Sequence, residues 1–220
     1  MTHPVRELLD AIAAGRLPPA DGAVLVHPQP PGPSAAVLGF TAHHVVCADV
    51  GPDWVGENLD PDGLGAPMKS AFLAALATLL RRPSGSLDVV LVASGLAGEP
   101  PVDLVPLAGD HPRLVRARRC RQEINGYAVA TLPGALVLVG RGFAGRWETA
   151  FEVPPQARGR GLGRGLARAA RHLVGPGESV WAQVAPGNAA SLRAVLAAGY
   201  LPVGAEVLFA ESRDRRESGA

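Results

Sequence analysis

The chain is poor in cysteine and lysine, and it has almost no net charge. Its 220 residues include two cysteines, Cys47 and Cys120, which are too few for a disulfide framework and favour a reducing compartment. Lys69 is the only lysine among 21 basic residues. The formal net charge of +1 gives no global indication of a nucleic-acid or membrane partner, and we expect neither.

Long hydrophobic runs are missing as well. No stretch of about 18 apolar residues occurs, which excludes a membrane-spanning helix. The first residues carry acids in an amphipathic pattern, without the apolar centre of a signal peptide. With 47% hydrophobic and 19% charged residues, the composition is that of a globular protein. We therefore expect a soluble, cytoplasmic protein.

The hydrophobic pattern predicts a mixed α/β fold in two parts. Residues 1–105 contain three or four predicted strands and two or three helices, without a motif that carries chemistry. The turn-rich stretch 94–112 marks a boundary, and closely spaced strands beyond it predict an antiparallel meander. We predict an N-terminal α/β domain at 1–105, a second domain at 106–212 and a polar tail at 213–220.

Glycine and arginine are concentrated in residues 153–174, "VPPQARGRGLGRGLARAARHLV", where a predicted strand runs into a predicted helix. Leu162, Leu166, Ala169 and Leu173 form one apolar stripe at helical spacing. A glycine turn before a helix makes an anion site, because free N–H groups converge there and the helix dipole adds positive charge. The segment matches neither the Gly-x-Gly-x-x-Gly fingerprint of dinucleotide sites nor the Gly-Lys-Ser/Thr of triphosphate loops.

A third pattern, Arg/Gln-x-x-Gly-x-Gly/Ala, is met by Arg158, Gly161 and Gly163. The segment "NAASLRAVLAAGY" then supplies an asparagine that can cap a helix, followed by a Gly-Tyr pair: Asn188, Ser191, Gly199 and Tyr200. In this order, and separated by one strand, the two motifs resemble those of the Gcn5-related N-acetyltransferase (GNAT) family. The resemblance covers roughly residues 106–210.

The resemblance implies a GNAT-like sheet, mixed and mostly antiparallel, flanked by helices. Residues 1–105 are then either an α/β extension or a degenerate second half of the same fold. It also implies acetyl-CoA as the acyl donor, an amine acceptor, direct transfer and no metal, and it leaves a homodimer open. By analogy the cofactor is held by backbone and side-chain groups of Phe151, Val153, Arg158, Gly159, Arg160, Gly161, Leu162, Gly163, Arg164, Asn188 and Ser191.

The catalytic roles have fewer signals in the sequence. Glu148 and Glu152 are four apart on a predicted strand, so they share one face, and either is a candidate general base. The alternative is that they are exposed or pair with Arg146 or Arg158. Val195 stands where many family members have a tyrosine that protonates the CoA thiolate. Two functions therefore remain: an N-acyltransferase, most readily an N-acetyltransferase, or an acyl-CoA-binding regulatory or scaffold protein that has lost catalysis.

Two further features are weaker. The acidic, glycine-rich loop of residues 52–65 is the candidate for contact with a cationic acceptor, through Asp60 and Asp62. One cluster of metal-ligating side chains lacks a second pair of ligands and makes a poor zinc site: His43, His44 and Cys47. We therefore predict an amine-binding surface in the N-terminal half and no metal.

Overall fold

A computed structural model describes residues 2–60, 63, 65–107 and 109–210. Asp62 and the predicted tail at 213–220 lie outside the described residues. The strands are Val24–His27 (β1), Ser34–Phe40 (β2), His43–Cys47 (β3), Ser84–Ser94 (β4), Leu104–Pro106 (β5), Gln122–Val129 (β6), Leu136–Arg141 (β7), Trp147–Glu152 (β8), Ser179–Val184 (β9) and Leu201–Ala210 (β10). The α-helices are Pro4–Ala13 (α1), Pro52–Asn58 (α2), Ser70–Leu80 (α3), Pro112–Ala117 (α4), Leu162–Leu173 (α5) and Ala189–Ala197 (α6).

The strands form one sheet in the order β1-β3-β2-β10-β4-β9-β8-β7-β6-β5. Among the described strands, the β1–β3 and β8–β9 pairs are parallel and the other pairs are antiparallel. Helices cover both faces of this sheet. The predicted fold class, a mixed and mostly antiparallel sheet flanked by helices, is confirmed.

The sheet continues across the predicted boundary at residues 105 and 106, which lies inside β5. β4 comes from the N-terminal half but is paired between β9 and β10. The other edge of β10 is paired with β2. The glycines and prolines of residues 95–103 therefore belong to the connection between β4 and β5 of one sheet, and the two halves share that sheet.

The helices divide between the two faces because alternate residues of a strand point in opposite directions. Val137 and Val139 of β7 pack under α5, whereas Leu136 and Leu138 pack under α4. On β9, Trp181 joins the core under α1, while its neighbours join the core under α5 and α6. We call these surfaces the α5 face and the α1 face; α4 lies on the α1 face.

Within the described part of the chain, every helix is too short or too polar to cross a membrane. Short apolar runs are instead buried in the sheet, in β2 and in the second half of β4. The sheet thus forms the centre of the molecule and carries the candidate site at its middle strands.

Candidate functional site

β8 and β9 run parallel but are paired only where they begin. Trp147 lies opposite Val180 and Glu148 lies opposite Trp181. Beyond these residues each strand keeps only its outer partner, β7 for β8 and β4 for β9. The two strands therefore separate in a V, and from residue 149 to its end the inner edge of β8 has no partner among the described strands.

A groove of about 910 Å³ occupies this opening. Phe151, Glu152 and Val153 all line it. Since successive residues of a strand point to opposite faces, a groove lined by all three follows the free edge of β8. Its other walls are the glycine-arginine loop, the first turn of α5 and one side of α6.

The loop places the start of α5 at the groove, as the sequence predicts. Gly161 is the N-cap and has a φ of 82°, in the left-handed region that favours glycine. The first hydrogen bond of the helix runs from the Gly165 amide to the Gly161 carbonyl, at 3.1 Å. The amides of residues 162–164 have no acceptor within the helix, because the first turn of an α-helix leaves its N–H groups free. This end of α5 is therefore suited to an anion.

Gly163 allows α5 to approach the groove closely. A Cβ atom at this position would lie 3.3 Å from the Ala194 Cβ and 3.7 Å from the Phe151 Cε2. Arg158 fixes the other end of the loop, since its Nε donates to the Val153 carbonyl at 3.1 Å. The loop is thus attached to the end of β8 and packed against α6.

Asn188 caps α6, as predicted: its Oδ1 accepts from the Ser191 amide at 3.2 Å. The Gly-Tyr pair at the other end of α6 has a structural role. Gly199 has a φ of 87°, and a Cβ there would lie 2.6 Å from an Nη of Arg171. The Tyr200 hydroxyl is buried and donates to the Ala167 carbonyl at 3.1 Å, which joins the end of α6 to α5.

Ten of the eleven residues predicted to contact the cofactor line this groove: Phe151, Val153, Arg158, Gly159, Gly161, Leu162, Gly163, Arg164, Asn188 and Ser191. Arg160, the eleventh, is exposed on the loop and does not line it. The motif thus includes an arginine that the groove lining does not include.

The groove has wall residues that the sequence analysis missed. Ala190, Ala194 and Ala197 line it together with Arg193, at the helical spacing of one face of α6. That stripe of small residues was the available signal. Arg113 also lines the groove, but it comes from α4 and nothing in the local sequence indicates it. The lining contains four arginines and one carboxylate, which favours an anionic ligand: Arg113, Arg158, Arg164, Arg193 and Glu152.

The two predicted bases have different environments. Glu148 is buried and accepts from Arg121 Nε at 2.9 Å, Arg146 Nε at 3.0 Å and the Phe143 amide at 3.1 Å. Burial opposes its ionisation, but Arg146 and Arg121 lower the pKa of the Glu148 carboxyl overall. Glu152 is half-exposed at the groove and accepts from Arg113 Nε at 2.6 Å.

Arg146 extends the buried network to another strand. Its Nη2 donates to both carboxylate oxygens of Glu206 on β10, at 2.7 and 2.8 Å. Burial raises the pKa of Glu206, although Arg146 opposes that shift. Burial likewise opposes the charge on Arg146, but Glu206 and Glu148 raise its pKa overall. The start of β8 is therefore fixed by ion pairs that lie on the α1 face.

Val195, at the position where the family often has tyrosine, is buried in the core beneath α6 and does not line the groove. Neither tyrosine of the chain, Tyr127 or Tyr200, lines it either. The groove therefore offers no phenol as a proton donor for a leaving thiolate.

The described part of residues 52–65, which begins with α2 and not with a loop, lines neither the groove nor the other cavities at the middle strands. It packs at the β1–β3–β2 end of the sheet, and Asp60 forms an ion pair with Lys69. His43 and His44 are buried on β3. Among the residues that the structure describes, no group of three or more His, Cys, Asp or Glu side chains is arranged to hold a metal.

No protein-family model matches the sequence, and no curated protein matches it. Several solved structures are similar to parts of it, including the three that follow. One is an acetyltransferase from the GNAT family of Colwellia psychrerythraea, with 12% identity and a TM-score of 0.41, covering 65% of this chain and 63% of that one. Another is a GCN5-related N-acetyltransferase from Kribbella flavida, with 16% identity and a TM-score of 0.40, covering 63% of each chain.

The third is a protein assigned to the GNAT family from Novosphingobium aromaticivorans, with 19% identity and a TM-score of 0.42, covering 59% of this chain and 66% of that one. The chain thus spans less than two thirds of the length of each of these proteins. All three are described as members of the family that the two sequence motifs resemble.

Proposed function

We propose that the chain is an acyl-CoA-dependent N-acyltransferase that moves an acetyl group from acetyl-CoA directly to a primary amine of a small molecule or peptide. One observation carries this proposal: a single groove joins the unpaired edge of β8 to the free amides at the start of α5. Acetyl-CoA has the matching parts, an amide-bearing arm that can pair with a strand edge and a pyrophosphate that suits a helix N-terminus.

Each part of the ligand has a partner in this arrangement. Backbone groups of Phe151 and Val153 bind the pantetheine arm, because no described strand pairs with this edge of β8. The amides of residues 162–164 bind the pyrophosphate. Arg113 and Arg193, on opposite walls, add positive charge for the remaining phosphate.

The reaction then needs an oxyanion donor and two proton transfers. A neutral amine attacks the thioester carbonyl, a C–N bond forms and the C–S bond breaks. A backbone N–H of β8 near Val153 stabilises the developing oxyanion. Glu148 already accepts three hydrogen bonds, so we assign it a positioning role. Glu152 lines the groove and is the better placed of the two predicted bases, while Ser191 is a hydroxyl at the groove that can protonate the thiolate.

The second candidate function is an acyl-CoA-binding regulatory or scaffold protein without catalysis. The burial of Val195 favours it, because the groove then lacks the phenol that many family members have. This alternative predicts the same binding of acetyl-CoA but no transfer to any amine.

Calorimetric titration with acetyl-CoA, CoA, NAD and ATP tests the site, with Gly161→Asp as the key variant. The variant places a carboxylate at the proposed pyrophosphate position, and we expect the affinity for acetyl-CoA and CoA to fall by at least about tenfold. Gly177→Asp is the matched control: its φ of 87° resembles the 82° of Gly161, both sites are open, and Gly177 lies outside the groove. Equal affinities of the two variants for acetyl-CoA would contradict the proposed pyrophosphate site. Release of CoA that depends on an added amine would favour the enzyme over the non-catalytic scaffold protein.

A further inference from the structure

A second opening, on the α1 face, reaches the middle strands from the side opposite α5. Its inner part, which we call the chamber, has a volume of about 230 Å³ and is lined by Asp88, Glu148 and Gln183 under the loop of residues 31–34. Its outer part, which we call the cleft, has a volume of about 650 Å³. The two share the loop prolines and Cys120–Arg121, so they adjoin each other.

The chamber lies where β8 and β9 separate. Glu148 is the last residue of β8 paired with β9, opposite Trp181. Gln183 follows two residues later on β9, on the same face and beyond the last pair. A molecule in the chamber therefore lies on the α1 face, at the closed end of the V that the acetyl-CoA groove follows.

The chamber has one carboxylate without a cationic partner. Glu148 is held by two arginines, whereas Asp88 forms no ion pair within the described residues and accepts only from Ser86 Oγ, at 2.9 Å. Burial raises the pKa of Asp88, and the Ser86 hydroxyl partly opposes this shift. Asp88 therefore keeps acceptor capacity for a hydrogen bond from an ammonium group.

The cleft has the opposite character. Arg119 lines it and has no carboxylate partner in the part of the chain that the structure describes. Arg118 pairs with Asp110 at 3.3 Å, but both are largely exposed, and such a pair is weak. His3 also lines the cleft; its Nδ1 accepts from the Val5 amide, which assigns the proton to Nε2.

That His3 Nε2 is buried and has no acceptor among the described residues. Three more arginines line the cleft, but they already have carboxylate partners: Arg6 pairs with Asp10, Arg121 with Glu148 and Arg141 with Glu178. Unused donors thus line the cleft, while an unused carboxylate lines the adjoining chamber.

We propose that the acceptor is a small amine that also carries a carboxylate, of the amino-acid class. Its ammonium group lies in the chamber against Asp88, and its carboxylate lies in the cleft against Arg119 and His3. This inference rests on the proposed function and names the acceptor class for it. It also replaces the expectation that a cationic acceptor binds at loop 52–65.

Matched amines with and without a carboxylate test the inference: 4-aminobutyrate against butylamine, and alanine against ethylamine. With acetyl-CoA as donor, we expect kcat/KM for CoA release to be at least about tenfold higher for the carboxylated member of one pair or both. Arg119→Gln removes that preference by raising KM for the carboxylated amine alone. Arg116→Gln is the control, because Arg116 is exposed on α4 and lines neither chamber nor cleft.

Equal turnover of both members of each pair, with acetyl-CoA bound normally, overturns the inference and leaves the proposed function standing. If the enzyme instead prefers 3-aminopropylphosphonate to 4-aminobutyrate by tenfold, the cleft binds a phosphorus anion. That result overturns the assignment of a carboxylate to the cleft. If acetyl-CoA does not bind, the proposed function fails. Saturation-transfer NMR of the same amine pairs with the protein alone then tests whether the cleft binds carboxylated amines. Selective binding of the carboxylated amines that Arg119→Gln weakens supports it, and absence of binding overturns it.

Discussion

The two ends of β8 carry the same side chain on the same face in opposite environments. Glu148, at the start, is 3% exposed and accepts three hydrogen bonds. The Glu152 side chain, at the end, is 42% exposed and pairs with one arginine. The cause is the neighbouring strand, because β9 pairs with the start of β8 and has separated from its end. The start of β8 is thus held in place, while its end keeps a free edge at which a ligand can bind.

The largest expected effect comes from removing the cation at the fixed start. Arg146→Met leaves Glu148 and Glu206 buried without their shared partner, and we expect a loss of about 3–5 kcal/mol in the free energy of unfolding. Arg113→Met removes the partner of Glu152 at the open end. Because that pair is partly exposed, its loss should cost about 0–1 kcal/mol. Urea denaturation measures both values, and equal losses would contradict the comparison.

The pH dependence of stability sharpens the description of the fixed start. The folded-state pKa of Glu148 lies below its ordinary value of 4.5, so its contribution is present above that pH and is lost as the pH falls through the folded pKa. The folded-state pKa of Glu206 is raised, so its contribution is present below 4.5 and is lost as the pH rises through the folded pKa.

Urea denaturation across the acid range therefore separates two variants. Glu148→Gln should flatten the loss of unfolding free energy below pH 4.5, and Glu206→Gln should remove a loss above it. If both variants change the stability profile in the same pH range, the claim that the pKa values of Glu148 and Glu206 shift in opposite directions is wrong.

The smallest effect concerns the arginines at the open end. Arg164 lines the groove and Arg160 does not. We expect Arg164→Gln to weaken acetyl-CoA binding by roughly three- to tenfold, less so at high salt, because an exposed charge contributes about 1 kcal/mol and is screened. Arg160→Gln should change the affinity by less than about twofold. Calorimetry at two salt concentrations measures both, and a larger loss for Arg160→Gln would mean that the loop binds the phosphates differently.

Local spacing was sufficient to predict the parts of the site that are close in sequence. The start of α5 after Gly161, the cap at Asn188 and most of the groove lining depend on neighbours within a few residues, and the structure places them as expected. The same spacing could not exclude Arg160, since the direction of a loop side chain depends on the path of the backbone.

Long-range pairing was beyond local patterns. The two glutamates of β8 look equivalent in sequence, and they differ because Arg121 and Glu206 come from segments 27 residues before and 58 residues after Glu148. The pairing of β4 between β9 and β10 has no local signal either. Nor could composition indicate the cleft, which Arg119 and His3 line from distant parts of the chain.

Amide hydrogen exchange along β8, followed by NMR with and without acetyl-CoA, tests the central claim most directly. Trp147 and Glu148 are already paired with β9, whereas Phe151 and Val153 line the groove. We predict that acetyl-CoA slows exchange at one or more amides from residue 149 to 153 and at residues 162–164, and leaves the start of β8 unchanged. Unchanged exchange at the end of β8 and the start of α5, under saturating acetyl-CoA, would contradict the account.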